Sequence, residues 1–452
     1  MYNKIKALCI LSFCLPLTIT PLQAAVDADQ AGRLGGVLTP IGAERAGNAD
    51  GSIPVWEGGL PKDAGKVTEG FREDPYAAEQ PLFVITPDNL TQYQERLTPG
   101  QLAMFKRYPS TYRIPVYATH RSIGWPEESY SVAKQNAIRT RLIAGGNGLE
   151  NYNSPLAFPI PQNGLEVIWN HITRYRGGSY ERETTTFMTT PAGGYSWKTE
   201  RDRLAYSEQL LDYDAERSKN ILYYFTSVNI APARDVGNVL LVHETLDQVK
   251  EPRMAWMYNS GQRRVRRAPQ VAYDSPGPGN LRTNDQLDMF NGSPDRYEWK
   301  LVGKRELYVP YNSFRLSDSK LQYDDIIKPG HINQDKTRYE LHRVWEVIGT
   351  LKSGERHIYS KRHLFVDEDS WTILEADHYD SRGNLWRVSE NHTLPLYDAQ
   401  TAISAGEMTY DLTSGRYVAN GMFNQVKNAY QFGLKAKTSG FTPAALRNIG
   451  IR

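Results

Sequence analysis

The chain has 452 residues, of which 40% are hydrophobic, 11% aromatic and 23% charged, and its formal net charge is +2 at pH 7. These proportions are typical of globular proteins and exclude a disordered or fibrous chain. A charge balance so close to zero creates no net field that would attract a polyanion, which argues against nucleic-acid binding. The length allows two or three domains, or one large β architecture that takes up more than half of the chain.

Residues 1–24 have the pattern of a Sec signal peptide. Lys4 and Lys6 precede an apolar stretch, and the small residue Ala24 predicts cleavage directly after it. An uncleaved membrane anchor is the alternative, but Pro16 interrupts the stretch, which is shorter than the ~20 residues that a spanning helix needs. We therefore expect an exported protein. Loss of the two lysines leaves 51 basic and 51 acidic residues.

The cysteines support export without lipidation. Cys9 and Cys14 are the only two in the chain, and both lie in the predicted signal peptide. Bulky Phe13 precedes Cys14, so neither cysteine resembles a lipidated N-terminus. A mature chain without thiols has no disulfide, thiolate metal site or cysteine nucleophile.

Residues 25–164 are rich in glycine and proline and contain predicted helices between loops. Asp88 is the expected N-cap of one helix, and Thr98, followed by Pro99, is the expected N-cap of the next. A third helix is predicted to begin at Pro126 and to end before a glycine pair. We expect this helical and loop-rich region to pack on a sheet formed by the residues that follow.

From residue 165 onward the apolar residues recur with a period of two, which predicts β-strands. Twelve segments have this pattern: 166–177, 179–190, 194–207, 220–228, 237–247, 254–260, 263–273, 297–310, 339–351, 355–368, 370–380 and 384–394. Short turns between the last four predict a β-meander with antiparallel pairing. We expect a carrier-like sheet domain over residues 165–430 and a tail with a short helix over residues 431–452.

The predicted strands carry apolar residues on both faces, as Trp345 and Val347 against Val344 and Ile348 show. A sheet that is apolar on two sides must be covered on both sides or must hold a ligand on one of them. The fold class predicted is therefore mainly β, with a large curved antiparallel sheet or half-open barrel, covered by the helices of residues 25–164.

The stretch MAWMYNSGQRRVRR, residues 254–267, is predicted to be a β-hairpin. Met254, Trp256 and Tyr258 share one face of its first strand, and a turn signal follows them. The arginines of the second strand are then the solvent-facing part of the hairpin, and we do not interpret them as a nucleic-acid site.

Two histidine-containing patterns resemble metal sites, and neither has suitable spacing. His243-Glu244 begins like the zinc motif HExxH, but the motif ends in Asp247 and lies on a predicted strand, where positions four apart are separated by about 13 Å. His357, His363, His378 and His392 could cluster with Asp377, yet His357 and His363 are about 20 Å apart if both lie on one strand. No metal or cofactor is predicted.

A serine acyltransferase of the penicillin-binding type is the alternative enzymatic interpretation. Ser131 and Lys134 form an S-x-x-K motif on a predicted helix, and Ser218 and Asn220 form S-x-N. Lys437-Thr438-Ser439-Gly440 approaches K-T-G but contains an inserted serine. Chance alone predicts about one S-x-x-K in a chain with this composition, so the signal is weak.

The aromatic content permits two interpretations that remain open. Most tryptophans fall in predicted strands, where they could fill the core or line an apolar cavity for an acyl chain, with each buried methylene contributing about 0.8 kcal/mol. The residues that we predict for a cavity wall are Met254, Trp256, Tyr258, Trp345, Trp371 and Trp169.

Five long segments, taken in order, resemble the domain-of-unknown-function family 1329, whose members are often labelled outer membrane lipoprotein-sorting proteins. They are residues 33–59, 98–117, 163–178, 280–312 and 359–390. The resemblance covers nearly all of the mature chain. It implies a fold similar to the lipoprotein carriers LolA and LolB, in which a half-open antiparallel barrel holds acyl chains in its concavity.

The resemblance also implies a function and partners. The function is to carry a lipid, lipoprotein or other hydrophobic cargo in the periplasm of a Gram-negative bacterium. A resistance-nodulation-division (RND) type inner-membrane exporter and an outer-membrane protein would be partners. The resemblance implies no catalytic residue. A structural adaptor that binds no ligand is a further alternative.

Overall fold

The computed structural model describes residues 26–143, 145–268 and 273–451. The predicted signal peptide and its cleavage site lie outside this range. Within it, no helix combines the length and the apolar character that a membrane crossing requires.

The described residues form short helices and a large number of strands. The helices are α1 Ala28–Gly32, α2 Leu90–Tyr93, α3 Pro99–Arg107, α4 Glu127–Arg139, α5 Gly164–Thr173, α6 Tyr323–Ile326 and α7 Leu446–Ile451. The strands of the first half are β1 Val67–Thr68, β2 Phe71–Arg72, β3 Phe83–Ile85, β4 Ile114–Val116, β5 Arg141–Leu142, β6 Leu149–Glu150, β7 Tyr180–Thr189, β8 Tyr195–Tyr206, β9 Ile221–Ala231 and β10 Val239–Thr245. Those of the second half are β11 Met254–Asn259, β12 Arg264–Arg267, β13 Tyr297–Pro310, β14 Tyr339–Leu351, β15 Lys361–Asp367, β16 Ile373–Tyr379, β17 Leu385–Leu396, β18 Thr401–Asp411, β19 Tyr417–Met422 and β20 Tyr430–Phe432.

One sheet of sixteen strands dominates the fold. Its main path runs β12-β11-β10-β9-β8-β7-β19-β18-β17-β16-β15-β14-β4-β3, with β13 paired to β14 and β20 paired to β7. The pairing is antiparallel except between β4 and β14, which makes the sheet mixed. Among the described strands, β12 and β3 at the two ends of this path do not pair with each other, so the sheet is not a closed barrel. The predicted β-meander is confirmed, because β14 to β19 pair in chain order.

The sheet bends around helix α5. One buried cluster contains Leu204 and Tyr223 of β8 and β9 together with Val344 and Leu364 of β14 and β15, although many strands separate these two arms in the sheet. Val167, Ile168, Trp169 and Ile172 of α5 belong to the same cluster, so the helix fills the space between the arms. The prediction of a mainly β fold with a large curved sheet is therefore confirmed.

The segment 166–177 was predicted to be a strand, and this prediction is wrong. Its first part belongs to α5, which begins where the Asn163 side chain accepts a hydrogen bond from the Glu166 amide at 3.0 Å. Nine of the ten residues of the helix are buried. The polar side chains of the helix, such as Glu166 and Asn170, are buried as well, so they do not form a solvent-facing surface. The β-branched residues of the segment favour a strand by propensity.

Two strands in the centre of the sheet were missed. β18 contains Ala402, Ala405 and Gly406, residue types that are depleted in strands, and β19 follows it after a tight turn. Their pairing with β17 and β7 stabilises both strands despite this composition. The predicted strand 355–368 is also shorter than expected, because β15 begins only at Lys361.

The predicted helix starts are confirmed at Thr98 and corrected at Asp88. Thr98 caps α3 with a full capping box, and Pro99 stands in the first turn. α2 begins after Asn89 rather than Asp88. Residues 25–164 also supply β3 and β4, so this region extends the sheet in addition to covering it.

We predict that Gly100→Ala destabilises the fold. Gly100 lies where α3 packs on β16 and β17, and its amide donates to Asp377 Oδ2 at 2.9 Å. A methyl group there would overlap Asp377 Oδ1 and lie 2.7 Å from Val388 Cγ1. Overpacking of this kind costs about 1–3 kcal/mol of unfolding free energy, measurable by chemical denaturation. Gly32→Ala is the control because nothing lies within 4 Å of its added methyl group, and equal stability of the two variants would contradict the prediction.

Candidate functional site

A cavity of about 200 Å³ lies against one face of strands β7 to β10. A segment that we call the covering segment, residues 276–291, forms the opposite wall with Pro278, Arg282, Asn284, Leu287, Asp288 and Asn291. Glu407 of β18 and Asn420 of β19 also contribute. The cavity thus lies between the sheet and one irregular connection.

An apolar row of side chains crosses the four strands in the cavity wall. In the strand register Tyr180 is opposite Leu204, Leu204 is opposite Phe225, and Phe225 is opposite Val242. All four residues line the cavity. Because cross-strand neighbours point to the same face of a sheet, they form one continuous strip of hydrocarbon and aromatic surface.

A polar row runs beside the apolar one, two residues further along each strand. Arg182 is opposite Asp202, Asp202 is opposite Ser227, and Ser227 is opposite Leu240. Arg182 Nε and Asp202 Oδ2 are 2.9 Å apart. Burial raises the pKa of Asp202, and the Arg182 guanidinium opposes this shift. The cavity wall is therefore amphipathic, which differs from the uniformly apolar hollow that the sequence suggested.

Four positively charged side chains of the cavity are paired with carboxylates. Besides Arg182 with Asp202, the pairs are Lys198 with Glu200 at 2.6 Å, Arg253 with Glu244 at 2.9 Å and Arg176 with Asp288 at 2.8 Å. Asp288 also pairs with Arg174, which lies behind the cavity. Although burial alone would raise the pKa of Asp288, the two arginines hold it below its ordinary value.

Arg282 is the fifth positively charged residue of the cavity, and it differs from the other four. It is 8% exposed, and among the described residues no carboxylate forms an ion pair with it. Nη1 donates to the Thr283 carbonyl oxygen at 3.2 Å, while Nε is buried without an acceptor in the described part of the chain. Burial lowers the pKa of Arg282, and the negative charges of Glu407 and Glu200 offset this only partly.

Glu407 is the carboxyl group of the cavity that lacks a positively charged partner within the described ranges. Its Oε2 accepts a hydrogen bond from the Asp288 amide at 3.0 Å. Burial and the nearby Asp288 carboxylate raise the pKa of Glu407 to about 7. Around neutral pH the Glu407 carboxyl is thus only partly ionised, which leaves positive charge in excess inside the cavity.

Contacts from several elements hold the covering segment in place. Burial lowers the pKa of His171 to about 3, so its ring is neutral. Its Nε2 donates to the Asp288 carbonyl oxygen at 2.8 Å. Arg387 of β17 donates to the Asn280 carbonyl oxygen at 2.6 Å. Met289 and Phe290 are buried in the main core. The segment therefore closes the cavity as an anchored part of the fold.

Three of the six predicted wall residues lie on the other face of the sheet. In β11, Trp256 is opposite Leu241 and Tyr258 is opposite Val239, whereas the cavity is lined by Leu240 and Val242. Trp256 and Tyr258 pack in a separate core under the C-terminal tail. Met254 lines a separate open cavity of about 340 Å³, formed by residues 250–255 and Arg267. The hairpin itself is confirmed, with the residues of β12 exposed.

The other three predicted wall residues belong to the core around α5. Trp345 and Trp371 stack with their ring centroids 6.0 Å apart, and Trp371 Nε1 donates to the Ile41 carbonyl oxygen at 3.0 Å. Trp169 Nε1 donates to the Gly146 carbonyl oxygen at 3.0 Å. None of the six residues lines the 200 Å³ cavity, and their surroundings favour core packing.

Few features of the sequence indicate which residues line this cavity. The charged members, such as Lys198, Glu200 and Asp202, alternate with outward residues as on an ordinary solvent-facing strand. A signal did exist in β10, where Leu240, Val242 and Glu244 share one face while Val239 and Leu241 make the other face equally apolar. Arg282 lies in an irregular segment, where no periodicity applies.

The candidate metal ligands are engaged in other contacts. His357 contacts Asp285 at 3.1 Å, His363 contacts Glu346 at 2.6 Å, and these histidines do not converge. His342, Asp367 and Asp369 do approach one another with ligand atoms within 4.8 Å. However, Asp369 binds the Arg121 guanidinium with both oxygens, at 2.8 and 2.7 Å, and Asp367 accepts from Tyr311 and Ser370.

The serine motifs lie in different parts of the fold. Ser131 and Lys134 are exposed on α4, which confirms that this S-x-x-K lies on a helix. Ser218 lies before β9, and Thr438 of the third motif donates to Asp212 at 2.8 Å through its amide. In the described chain no hydrogen bond joins the three motifs.

Comparison with known proteins assigns the family. A family model described as "Protein of unknown function (DUF1329)" matches residues 84–447. The uncharacterized protein PA3922 of Pseudomonas aeruginosa is 59% identical over 441 residues, which cover 97% of both chains.

Solved structures with lower similarity were also found. One is an outer membrane lipoprotein-sorting protein domain from Vibrio parahaemolyticus, 13% identical, which covers 63% of this chain and 98% of its own with a TM-score of 0.44. Another is a LolA superfamily protein from Nitrosomonas europaea, which is 12% identical. The match covers 62% of this chain and 97% of that protein, with a TM-score of 0.38. From the family match and the close Pseudomonas relative, we conclude that the chain belongs to the DUF1329 family.

Proposed function

We propose that this protein is a periplasmic carrier or binding protein for a lipid, a lipoprotein or another hydrophobic molecule that passes between the inner and outer membranes. One observation supports this proposal above the others. The cavity has a continuous apolar strip across four strands, formed by Tyr180, Leu204, Phe225 and Val242, that no side chain of the covering segment fills. Apolar surface next to an unfilled volume is where a hydrocarbon chain gains free energy.

The cavity as it stands would hold only part of such a ligand. Its volume of about 200 Å³ is below the ~300–1,000 Å³ typical of small-molecule sites. Burial of about six methylenes would contribute roughly 5 kcal/mol before the losses of association are subtracted. We therefore expect the structure to represent the closed state, and a whole acyl chain to require displacement of the covering segment.

The proposal extends to partners. An RND-type inner-membrane exporter and an outer-membrane protein are the partners that the family resemblance implies. A ligand-free protein that captures such an exporter from membranes would favour the adaptor alternative over the carrier.

The protein purified from its native periplasm is expected to contain a hydrophobic ligand. Organic extraction followed by lipid mass spectrometry should recover one class of molecule in a reproducible ratio to protein, because a closed cavity releases its ligand slowly. Protein unfolded and refolded after extraction is the control. Repeated recovery of empty protein, together with failure to bind a fluorescent fatty acid, would count against the carrier.

We predict that Val242→Phe weakens binding of dansyl-labelled undecanoic acid at least about tenfold, since the larger ring occupies the apolar row in the cavity; tenfold corresponds to about 1.4 kcal/mol. The measurement is a fluorescence titration of folded protein, with thermal melting to confirm the fold. Val265→Phe, the same change on the exposed hairpin strand β12, is the matched control. Equal affinities of the two variants would show that the fatty acid binds elsewhere.

We also propose that the protein has no acyl-enzyme activity. In the described structure the exposed Ser131 side chain has no hydrogen-bonded base that would activate it as a nucleophile. A fluorescent β-lactam is therefore expected to label the purified protein no more than it labels Ser131→Ala. Labelling that disappears in Ser131→Ala would support the acyltransferase instead.

A further inference from the structure

The charges around the cavity do not balance within the protein. Arg176, Arg182, Lys198 and Arg253 each have a carboxylate partner, and Arg282 has none in the described chain. A guanidinium that is more than nine-tenths buried is costly unless a negative group neutralises it. The structure thus contains a site with a positive charge and no occupant that neutralises it.

The unpaired positive charge is that of Arg282 at the cavity wall. Arg282 is among the lining residues, and the single hydrogen bond of its guanidinium goes to the neighbouring Thr283 carbonyl oxygen. The buried Nε has no acceptor among the described residues. A guanidinium presents its N–H groups in a planar fork, which suits a carboxylate or a phosphate.

Glu407 is the acidic residue in the best position to neutralise Arg282, but the two are not within ion-pair distance. Its carboxylate accepts instead from the Asp288 amide, which anchors the covering segment. Glu200 is occupied by Lys198 at 2.6 Å. In the described structure neither carboxylate forms an ion pair with Arg282.

The same cavity has the apolar row of Tyr180, Leu204, Phe225 and Val242. A ligand that satisfies both features has an oxyanion at one end and a hydrocarbon chain at the other. We propose that Arg282 binds the anionic headgroup of an amphiphile whose hydrocarbon chain lies along this apolar row. This inference rests on the proposed function and narrows it from hydrophobic molecules in general to anionic amphiphiles.

Two sources could supply this chemistry, a carboxylate as in a fatty acid and a phosphate as in an acidic lipid. Calorimetric titrations with dodecanoate, dodecyl phosphate and uncharged dodecanol separate the headgroup from the chain. We expect the wild-type protein to bind at least one of the two anions about ten- to a hundredfold more tightly than dodecanol, the range of a charge-assisted hydrogen bond. The anion that binds more tightly identifies the headgroup.

Arg282→Gln is expected to remove this preference and to leave the affinity for dodecanol unchanged. Arg282→Lys should retain part of it, because the charge remains while the planar fork is lost. Arg266→Gln, the same substitution on the exposed strand β12, is the matched control. Thermal melting of the ligand-free variants gives a second measurement, since loss of an unneutralised buried charge should leave the melting temperature equal or higher.

Three outcomes would overturn the inference. Equal wild-type affinities for dodecanol and both anions would exclude an anionic headgroup while the carrier proposal stands. An anion preference that persists in a folded Arg282→Gln protein would place the headgroup elsewhere. A lower melting temperature of Arg282→Gln with unchanged ligand preference would make Arg282 a structural residue. Absence of binding by all three molecules, in contrast, would contradict the proposed function itself.

Discussion

The burial of helix α5 on nearly all sides is the constraint on which the rest of the fold depends. The helix buries its polar side chains Glu166, Asn170 and His171 together with its apolar ones. A helix buried in this way needs cover in every direction, and a flat sheet covers only one side. The sheet therefore bends until β8 and β9 on one arm and β13 to β15 on the other contact the same core. The strand path supplies the length for this bend because it contains fourteen strands.

The cavity follows from where α5 ends. Beyond Thr173 the chain continues into Arg174 and Arg176, whose guanidinium groups bind Asp288 of the covering segment instead of filling the space with hydrocarbon. The sheet thus continues past the end of the helix, but no side chains of the helix fill the space beneath it there. Arg176 and Asp288 both line the resulting cavity. An irregular segment fills such a space less completely than a helix, because its backbone polar groups need partners of their own.

Much of the architecture could be predicted from the sequence, because the local patterns agree with the tertiary structure. The meander of β14 to β17, the hairpin of β11 and β12 and the capping box at Thr98 all follow short-range rules. Helix α5 was not predicted, since its few polar residues are buried among apolar ones and its β-branched residues favour a strand. β18 was missed for a related reason: its cross-strand pairing outweighs the weak strand propensity of its alanines and glycine.

The candidate site was less predictable than the fold. Strand periodicity shows that Leu240 and Leu241 face opposite sides, but it does not show which side is covered by the tail and which faces a cavity. Aromatic content favoured Trp256 and Tyr258, whereas the cavity wall combines a shorter apolar strip with ion pairs. Charged residues on a strand are usually assigned to solvent, so Lys198 and Glu200 carried no signal for a buried site. Arg282 depends entirely on the path of the covering segment.

In the proposed carrier, ligand exchange depends on the anchoring of that segment. Access to the apolar row from the covered side requires Asp288 to separate from Arg174 and Arg176 and its amide to separate from Glu407. Separating largely buried ion pairs leaves charges without partners, which is costly. An anionic headgroup reduces this cost because it brings a new partner for the arginines as the old one leaves. In the proposed carrier the positive charge of the cavity thus has two roles, since it selects the ligand and offsets the cost of its entry.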